Sequence, residues 1–471
     1  MEYISTRGRA PALSFKDMLF EGLATDGGLY TPATWPRISP ETLRAWRRLS
    51  YQELAAEVML PFVDPDIHRD DLVPLLDRAY AGFRSDSVAP LCKIDDDVHL
   101  LELFHGPTYA FKDFAMQLLA QVFEFLLVRE SRTVTVIGAT SGDTGAAAIE
   151  AFRDLQCVNL FILFPLGRIS EVQRRQMTTV QASNIHVIGI PGTFDDCQRI
   201  VKEAYGDEGF REAVSLTSVN SINWARIMAQ AVYYFWAGLR LGAPDQSLDF
   251  AIPTGNFGNA FAGHAARQMG LPINRLLISS NRNDILTRFF RNNDMSVREV
   301  APSLSPSMDI QVSSNFERLL FELCDRDATQ VQTFMAGFHA TGAMPLPAEV
   351  FERTRAGFDG FSLDDEAIVD AMRDWQQKTG TLIDPHTVIA MEHARLKRTA
   401  GHPAVALSTA HPAKFPEAVS RATGNPAPLP QSLAQLMGRP ENAVSLPNNT
   451  HEVRQWIRER LASVGGMMDH G

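Results

Sequence analysis

The chain has 471 residues, 45% hydrophobic and 21% charged, a balance that fits about three folded domains and argues against disorder. Forty-four Lys and Arg against 55 Asp and Glu leave a formal net charge of −11, so no global attraction to nucleic acid or anionic lipid is expected. The four cysteines, Cys92, Cys157, Cys197 and Cys324, are too sparse for a disulfide framework and lack metal-site spacing, the first residues show no apolar leader, and no apolar run is long enough for a bilayer. A cytoplasmic, metal-free enzyme is the expectation.

Residues 1–100 read as mostly helical. Ser39-Pro40-Glu41 opens a helix with serine as N-cap and proline at the first helical position. Residues 51–60 and 70–81 are amphipathic. The rhythm then changes. The β-branched run 133–137 stops at a glycine and opens onto an alanine-rich helix over 145–152. Short apolar strands follow at 160–164 and 185–190, then at 250–254, 275–279 and 404–409, with helical segments between them. Alternating buried strand and helix predicts an α/β chain with parallel sheets covered on both faces. The loop 242–246 reads as a boundary between two α/β blocks, and the proline-rich stretch 423–431 as a linker or wrapped tail.

Five segments carry chemistry. In the run 104–114, a Gly106-Pro107 turn leads into a helix that sets Lys112 among aromatic neighbours. Partly apolar surroundings disfavour the ammonium and suit imine or general-base chemistry, although most such lysines are ordinary surface residues. Gly138-Ala139-Thr140-Ser141-Gly142-Asp143-Thr144-Gly145 lies between a strand and a helix, where backbone N–H groups and hydroxyls can meet a carboxylate or phosphate. It matches neither a Walker loop nor a dinucleotide fingerprint. Gly255-Asn256-Phe257-Gly258-Asn259 repeats that architecture without basic side chains, as suits a phosphate that stays bound. In the run 218–226, Ser221, Asn223 and Arg226 can grip a second phosphate, or equally form a helix cap followed by a surface arginine. Thr409 ends the last strand, where a hydroxyl can meet a heteroaromatic nitrogen or simply cap a turn.

Together with the opening Tyr3-Ile4-Ser5-Thr6-Arg7-Gly8, and with Ser305-Pro306-Ser307-Met308-Asp309-Ile310-Gln311, Ser313-Ser314-Asn315-Phe316-Glu317-Arg318 and Asp384-Pro385-His386-Thr387, these segments resemble the threonine synthases in the family's order. The resemblance spans nearly the whole chain and favours the bacterial and fungal branch. It implies fold type II of the pyridoxal 5′-phosphate enzymes, like the tryptophan synthase β chain, with two open parallel-sheet α/β lobes and a mainly helical N-terminal domain. The implied layout is 1–100 for the N-terminal domain, 101–125 with 241–471 for a large cofactor-binding lobe, and 126–240 for a smaller lobe that closes. Lys112 would carry the cofactor and move the proton. Gly255, Asn256, Phe257, Gly258 and Asn259 would hold its phosphate, Thr409 its ring nitrogen, and Asp143 would lie beside its 3′-oxygen. Thr140, Ser141 and Thr144 would hold the substrate carboxylate. Ser221, Asn223 and Arg226 would hold the phosphate of O-phospho-L-homoserine, which water converts to L-threonine and free phosphate. A monomer or homodimer is expected. The alternatives are a phospho-lyase acting on a related phosphorylated amine, and a catalytically silent binding protein, which the intact Lys112 and glycine loops argue against.

Overall fold

The computed structural model describes residues 1–468, which divide into two compact units. Unit 1 comprises residues 1–115 and 221–428, and unit 2 comprises 116–220 and the described residues from 429 onward. The chain passes from the first to the second inside helix Lys112–Glu130.

Unit 1 is built on a six-stranded sheet in the order Phe358–Ser362, Ile273–Ser280, Leu248–Pro253, Ala404–Ser408, Val98–Glu102, Leu91–Asp95. Every neighbouring pair is parallel except the last, an antiparallel hairpin at the edge. Leu248–Pro253 and Ala404–Ser408 are buried along their whole length, the mark of central parallel strands covered on both faces. Helix Thr387–Lys397 packs on this sheet, with Val388, Ile389 and Met391 in a core shared with Leu100, Ala251, Leu277 and Ala406. Unit 2 has a five-stranded, all-parallel sheet in the order Val444–Ser445, Ile185–Ile190, Val158–Pro165, Val134–Ala139, Leu216–Thr217. The C-terminal helix Thr450–Met468 covers it with Val453 and Ile457, against Phe161, Ile188 and Ile200.

The strand-and-helix rhythm and the capped helix Pro40–Trp46, with Ser39 accepting from the Thr42 N–H, match the sequence reading. Three differences remain. The mainly helical residues 1–100 also hold strands that the sequence did not reveal: Tyr3–Ser5 pairs with Tyr30–Pro32, and Leu91–Asp95 pairs with Val98–Glu102. Lys93 and Asp95 lie on the exposed edge strand, so charge hides the alternation there. Phe358–Ser362 also goes unread, because Asp359 interrupts its apolar pattern; the carboxylate is matched by Arg275 at 3.0 Å. Finally, the loop 242–246 lies inside unit 1 rather than between blocks. Helix Trp224–Arg240 explains this. It is buried from Trp224 through Leu239 and packs on Tyr51–Val63 and Gly258–Met269, so the break falls before the helix, at 220/221. The stretch 423–431 does carry the chain between units, but the tail beyond it belongs with residues 116–220, because Val444–Ser445 extends that sheet.

Candidate active site

Lys112 is the first residue of its helix and is half-buried, with Nζ 5.8 Å from the centre of the Phe111 ring. The turn before it is fixed from several sides. Tyr109 takes a left-handed conformation, φ 61°. The Arg84 guanidinium stacks 3.7 Å over its ring and donates to the carbonyls of Gly106 and Pro107. Asp113, completely buried, accepts from the Thr108 N–H at 2.8 Å and the Thr108 hydroxyl at 2.7 Å. A Cβ on Gly106 would stand 2.5 Å from that of Asp113, so only glycine lets the turn and the carboxylate approach this closely. Lys414 Nζ, equally buried, donates to the Thr108 carbonyl at 2.8 Å.

Burial raises Asp113 to about 6, against the opposing pull of the Thr108 bonds and Lys414. The folded chain therefore holds this proton more tightly than the unfolded one. Its contribution to stability is present below the ordinary carboxylate value and lost as pH rises through about 6. Asp113→Asn does not titrate. The unfolding free energy of the variant should gain on wild type by up to about 3 kcal/mol between pH 4 and pH 7, measured by denaturant titration at both.

The lysine turn is stitched to the end of strand Ala404–Ser408. The Phe111 N–H donates to the Thr409 carbonyl at 2.8 Å, the His411 N–H donates to the Tyr109 carbonyl at 3.1 Å, and Ala110 and Ala410 form an isolated antiparallel bridge. Thr409 and Lys112, 297 positions apart in sequence (409 − 112), thus share one small framework. The Thr409 N–H is also taken, by Thr387 Oγ1 at 3.1 Å.

On the same sheet, residues 255–259 follow strand Leu248–Pro253 and open helix Gly258–Met269. Phe257 is the N-cap in a left-handed conformation, φ 60°, and its ring packs among Phe290, Phe316 and Phe358. The first turn has neither an acidic residue nor a side-chain cap, so its N–H groups and the positive end of the helix dipole are available to an anion. Asn259 is oriented by Tyr233 and Tyr234, whose hydroxyls donate to its Oδ1 at 2.6 and 2.9 Å, and its Nδ2 is buried with no hydrogen-bond partner among the described residues. A Cβ on Gly255 would lie 3.0 Å from the Ser307 carbonyl and the Ile310 side chain. A neutral cradle with a spare buried donor fits a phosphate monoester, and with Lys112 and Thr409 it fits pyridoxal phosphate. Gly255→Ala should weaken cofactor affinity about tenfold, read by titrating pyridoxal phosphate into stripped protein.

The cradle is backed by residues the sequence reading gave no role. The Ser313 hydroxyl donates to the Gly255 carbonyl at 2.7 Å, and Asn315 Nδ2 donates to the carbonyls of Asn256 at 3.0 Å and Ser221 at 3.2 Å. The Arg318 guanidinium, buried so completely that its pKa falls to about 9, donates to Asn315 Oδ1 and to the carbonyls of Tyr30 and Ile222. The cluster Ser313-Ser314-Asn315 was the available signal: short polar side chains in a row serve backbone carbonyls.

This links the cradle to the 221–226 segment. Arg226 sits in the first turn of helix Trp224–Arg240 and is buried, not the surface arginine that spacing also allowed; burial lowers its pKa to about 10, so it stays cationic at neutral pH. Asn223 is fully buried, its Oδ1 capping the Ala225 N–H at 3.1 Å and its Nδ2 donating to the Leu19 carbonyl at 2.9 Å, so its amide shapes the loop.

Unit 2 holds Thr140, Ser141, Asp143 and Thr144 at the C-terminal end of strand Val134–Ala139, where Asp143 begins the next helix. Thr140 Oγ1 accepts from the N–H groups of Gly142 at 3.0 Å and Gly145 at 2.8 Å, which folds the loop around it. Ser141 and Thr144 are half-buried at the rim. Asp143 Oδ1 accepts from Gln173 Nε2 at 2.9 Å, a partner the sequence did not reveal.

Comparison with known proteins places this architecture. The family described as "Threonine synthase N terminus" matches residues 2–80, "Pyridoxal-phosphate dependent enzyme" matches 83–409, and "Threonine synthase, C-terminal" matches 387–457. The chain is 49% identical to a threonine synthase of Pseudomonas aeruginosa, with 98% of each chain covered. It superposes with TM-score 0.95 on pyridoxal-phosphate-bound threonine synthase from Brucella melitensis, at 48% identity over 98% of this chain and 99% of that one. The yeast threonine synthase structure gives 0.92 at 38% identity, covering 98% of this chain and 99% of the other.

Proposed function

Since the chain belongs to the threonine synthase family, and is thus a pyridoxal-phosphate-dependent lyase of fold type II, we propose that it converts O-phospho-L-homoserine and water into L-threonine and phosphate. The reading extends to work in the cytoplasm as a monomer or homodimer. The observation that carries it is the framework joining the Lys112 turn to Thr409, beside a neutral anion cradle on the same sheet.

When bound, the cofactor supplies an electron sink for charge developed on the substrate's carbon chain. The protein's residues do the rest. Lys112 would hold the cofactor through Nζ, and its amine would take the substrate's α-proton and return protons at later carbons. Gly255, Asn256, Phe257, Gly258 and Asn259 hold the cofactor phosphate with N–H groups and no cation. Thr409 would meet the ring nitrogen with its hydroxyl, and Asp143, steadied by Gln173, would serve the 3′-oxygen. Ser141 and Thr144 hold the substrate carboxylate on the loop that Thr140 folds. Arg226 and Ser221 grip the substrate phosphate, with Asn223 shaping their loop. Arg226 compensates the negative charge that builds as phosphate leaves, a task a neutral cradle does poorly.

Incubation of the holoenzyme with O-phospho-L-homoserine tests the reading. Threonine and phosphate should appear in equal amounts. A keto acid in place of threonine would instead establish a phospho-lyase.

A further inference from the structure

The segment Asp384-Pro385-His386-Thr387 has no part in the chemistry above, yet it lies against Thr409. Thr387 Oγ1 accepts from the Thr409 N–H at 3.1 Å, donates to Asp384 Oδ2, and stands 3.4 Å from the Ser408 hydroxyl. Asp384 has no exposed surface. Its Oδ1 accepts from the His386 N–H at 3.0 Å, His386 Nδ1 at 2.9 Å and the Thr387 N–H at 3.4 Å. A buried carboxylate is tolerated only when its lone pairs are filled, and here one of its oxygens is devoted to the Thr387 hydroxyl.

The direction of these bonds matters. The proton of the Thr387 hydroxyl points at a carboxylate, so its oxygen is left to accept from the Thr409 backbone and is polarised to do so strongly. The Thr409 carbonyl is meanwhile taken by the Phe111 N–H at 2.8 Å. Both backbone groups of Thr409 are therefore held, one by the lysine turn and one by the Asp384–Thr387 relay. The only freedom left to its hydroxyl is rotation about χ1.

We propose that Asp384, acting through Thr387, is a positioning residue that aims the Thr409 hydroxyl at the cofactor ring. The inference rests on the reading of Thr409 given above. Asp384 does not touch the cofactor; it fixes the polarity and place of the one residue that meets the ring nitrogen. Helix capping alone would need only the Oδ1 bonds to the His386 and Thr387 N–H groups, and leaves the Oδ2 bond without a purpose.

Holoenzyme carrying Thr409→Val, Thr387→Val, Thr387→Ser or Asp384→Asn separates the possibilities, with the visible absorption of the bound cofactor, its affinity for stripped protein, and kcat and KM as readouts. Thr409→Val should shift the absorption band. Thr387→Val should shift it the same way, weaken cofactor affinity about tenfold and lower kcat more than it changes KM, and Thr387→Ser should restore all three. Asp384→Asn keeps the shape and the Oδ1 bonds but turns an acceptor into a donor, and should give a shift of the same sign even if Thr387→Val does not fold. A band that moves in Thr409→Val but in neither Thr387→Val nor Asp384→Asn would overturn the relay and leave the reading of Thr409 standing. A band unmoved by Thr409→Val would overturn that reading and the relay with it. Lost thermal stability with an unchanged band would reduce Asp384 to a helix cap and also overturn the proposal.

Discussion

Lys112→Ala should lower threonine formation by about a thousandfold or more and remove the visible absorption of the lysine-linked cofactor. Two losses combine. On the proposed reading, the residue that holds the cofactor covalently disappears, and so does the base that moves the α-proton. The fold should not be what fails. Alanine has high helix propensity, Lys112 is half-buried, and the turn before it is held by Asp113, Arg84 and Lys414, all untouched. Far-ultraviolet circular dichroism should match wild type. Phosphate release that survives at near wild-type rate in this variant would refute the mechanism.

Arg226→Ala should cut kcat/KM for O-phospho-L-homoserine roughly a hundredfold while the cofactor spectrum persists. A forked pair of hydrogen bonds to a charged group contributes about 3 kcal/mol or somewhat more, about two factors of ten. Arg226→Lys should recover part of the loss, because it restores charge without the planar fork. The cofactor cradle shares Asn315 with the Ser221 carbonyl but not with Arg226, which is why the two anion sites should separate in this test. Collapse of the spectrum would instead make Arg226 a structural or cofactor-holding residue. The net charge of −11 gives the anionic substrate no long-range encouragement, so raised salt should affect capture of the substrate little compared with loss of this one guanidinium.

Legibility in the sequence followed physical type. The central strands were plain, since a strand buried on both faces carries an unbroken apolar run, as at 250–253 and 404–407. The edge hairpin at 91–102 and strand Phe358–Ser362 were not, because Lys93, Asp95 and Asp359 answer to solvent or to distant ion partners. The unit boundary was misplaced for a related reason. A turn of Gly242 and Pro244 looks like a linker, whereas what decides the boundary is which neighbours bury helix Trp224–Arg240. At the site, loops bearing glycine and hydroxyl residues announced themselves through chemistry and spacing. Their supports did not. Arg318 and Gln173 act by bonds to residues far away in sequence, and Asp384 reaches Thr409 only through Thr387; beyond the polar cluster at Asn315, no local pattern marks such a side chain.

The left-handed turn at Phe257 has a consequence for how the enzyme is loaded. A non-glycine residue in that conformation costs about 1–2 kcal/mol, while full burial of a phenylalanine side chain contributes about as much or more. The ring of Phe257 is completely buried, so the bend is maintained by aromatic packing and needs no bound anion. The turn at the start of helix Gly258–Met269 is therefore formed by the chain alone. On the proposed reading, a chain that loses its cofactor keeps this turn ready to take up another.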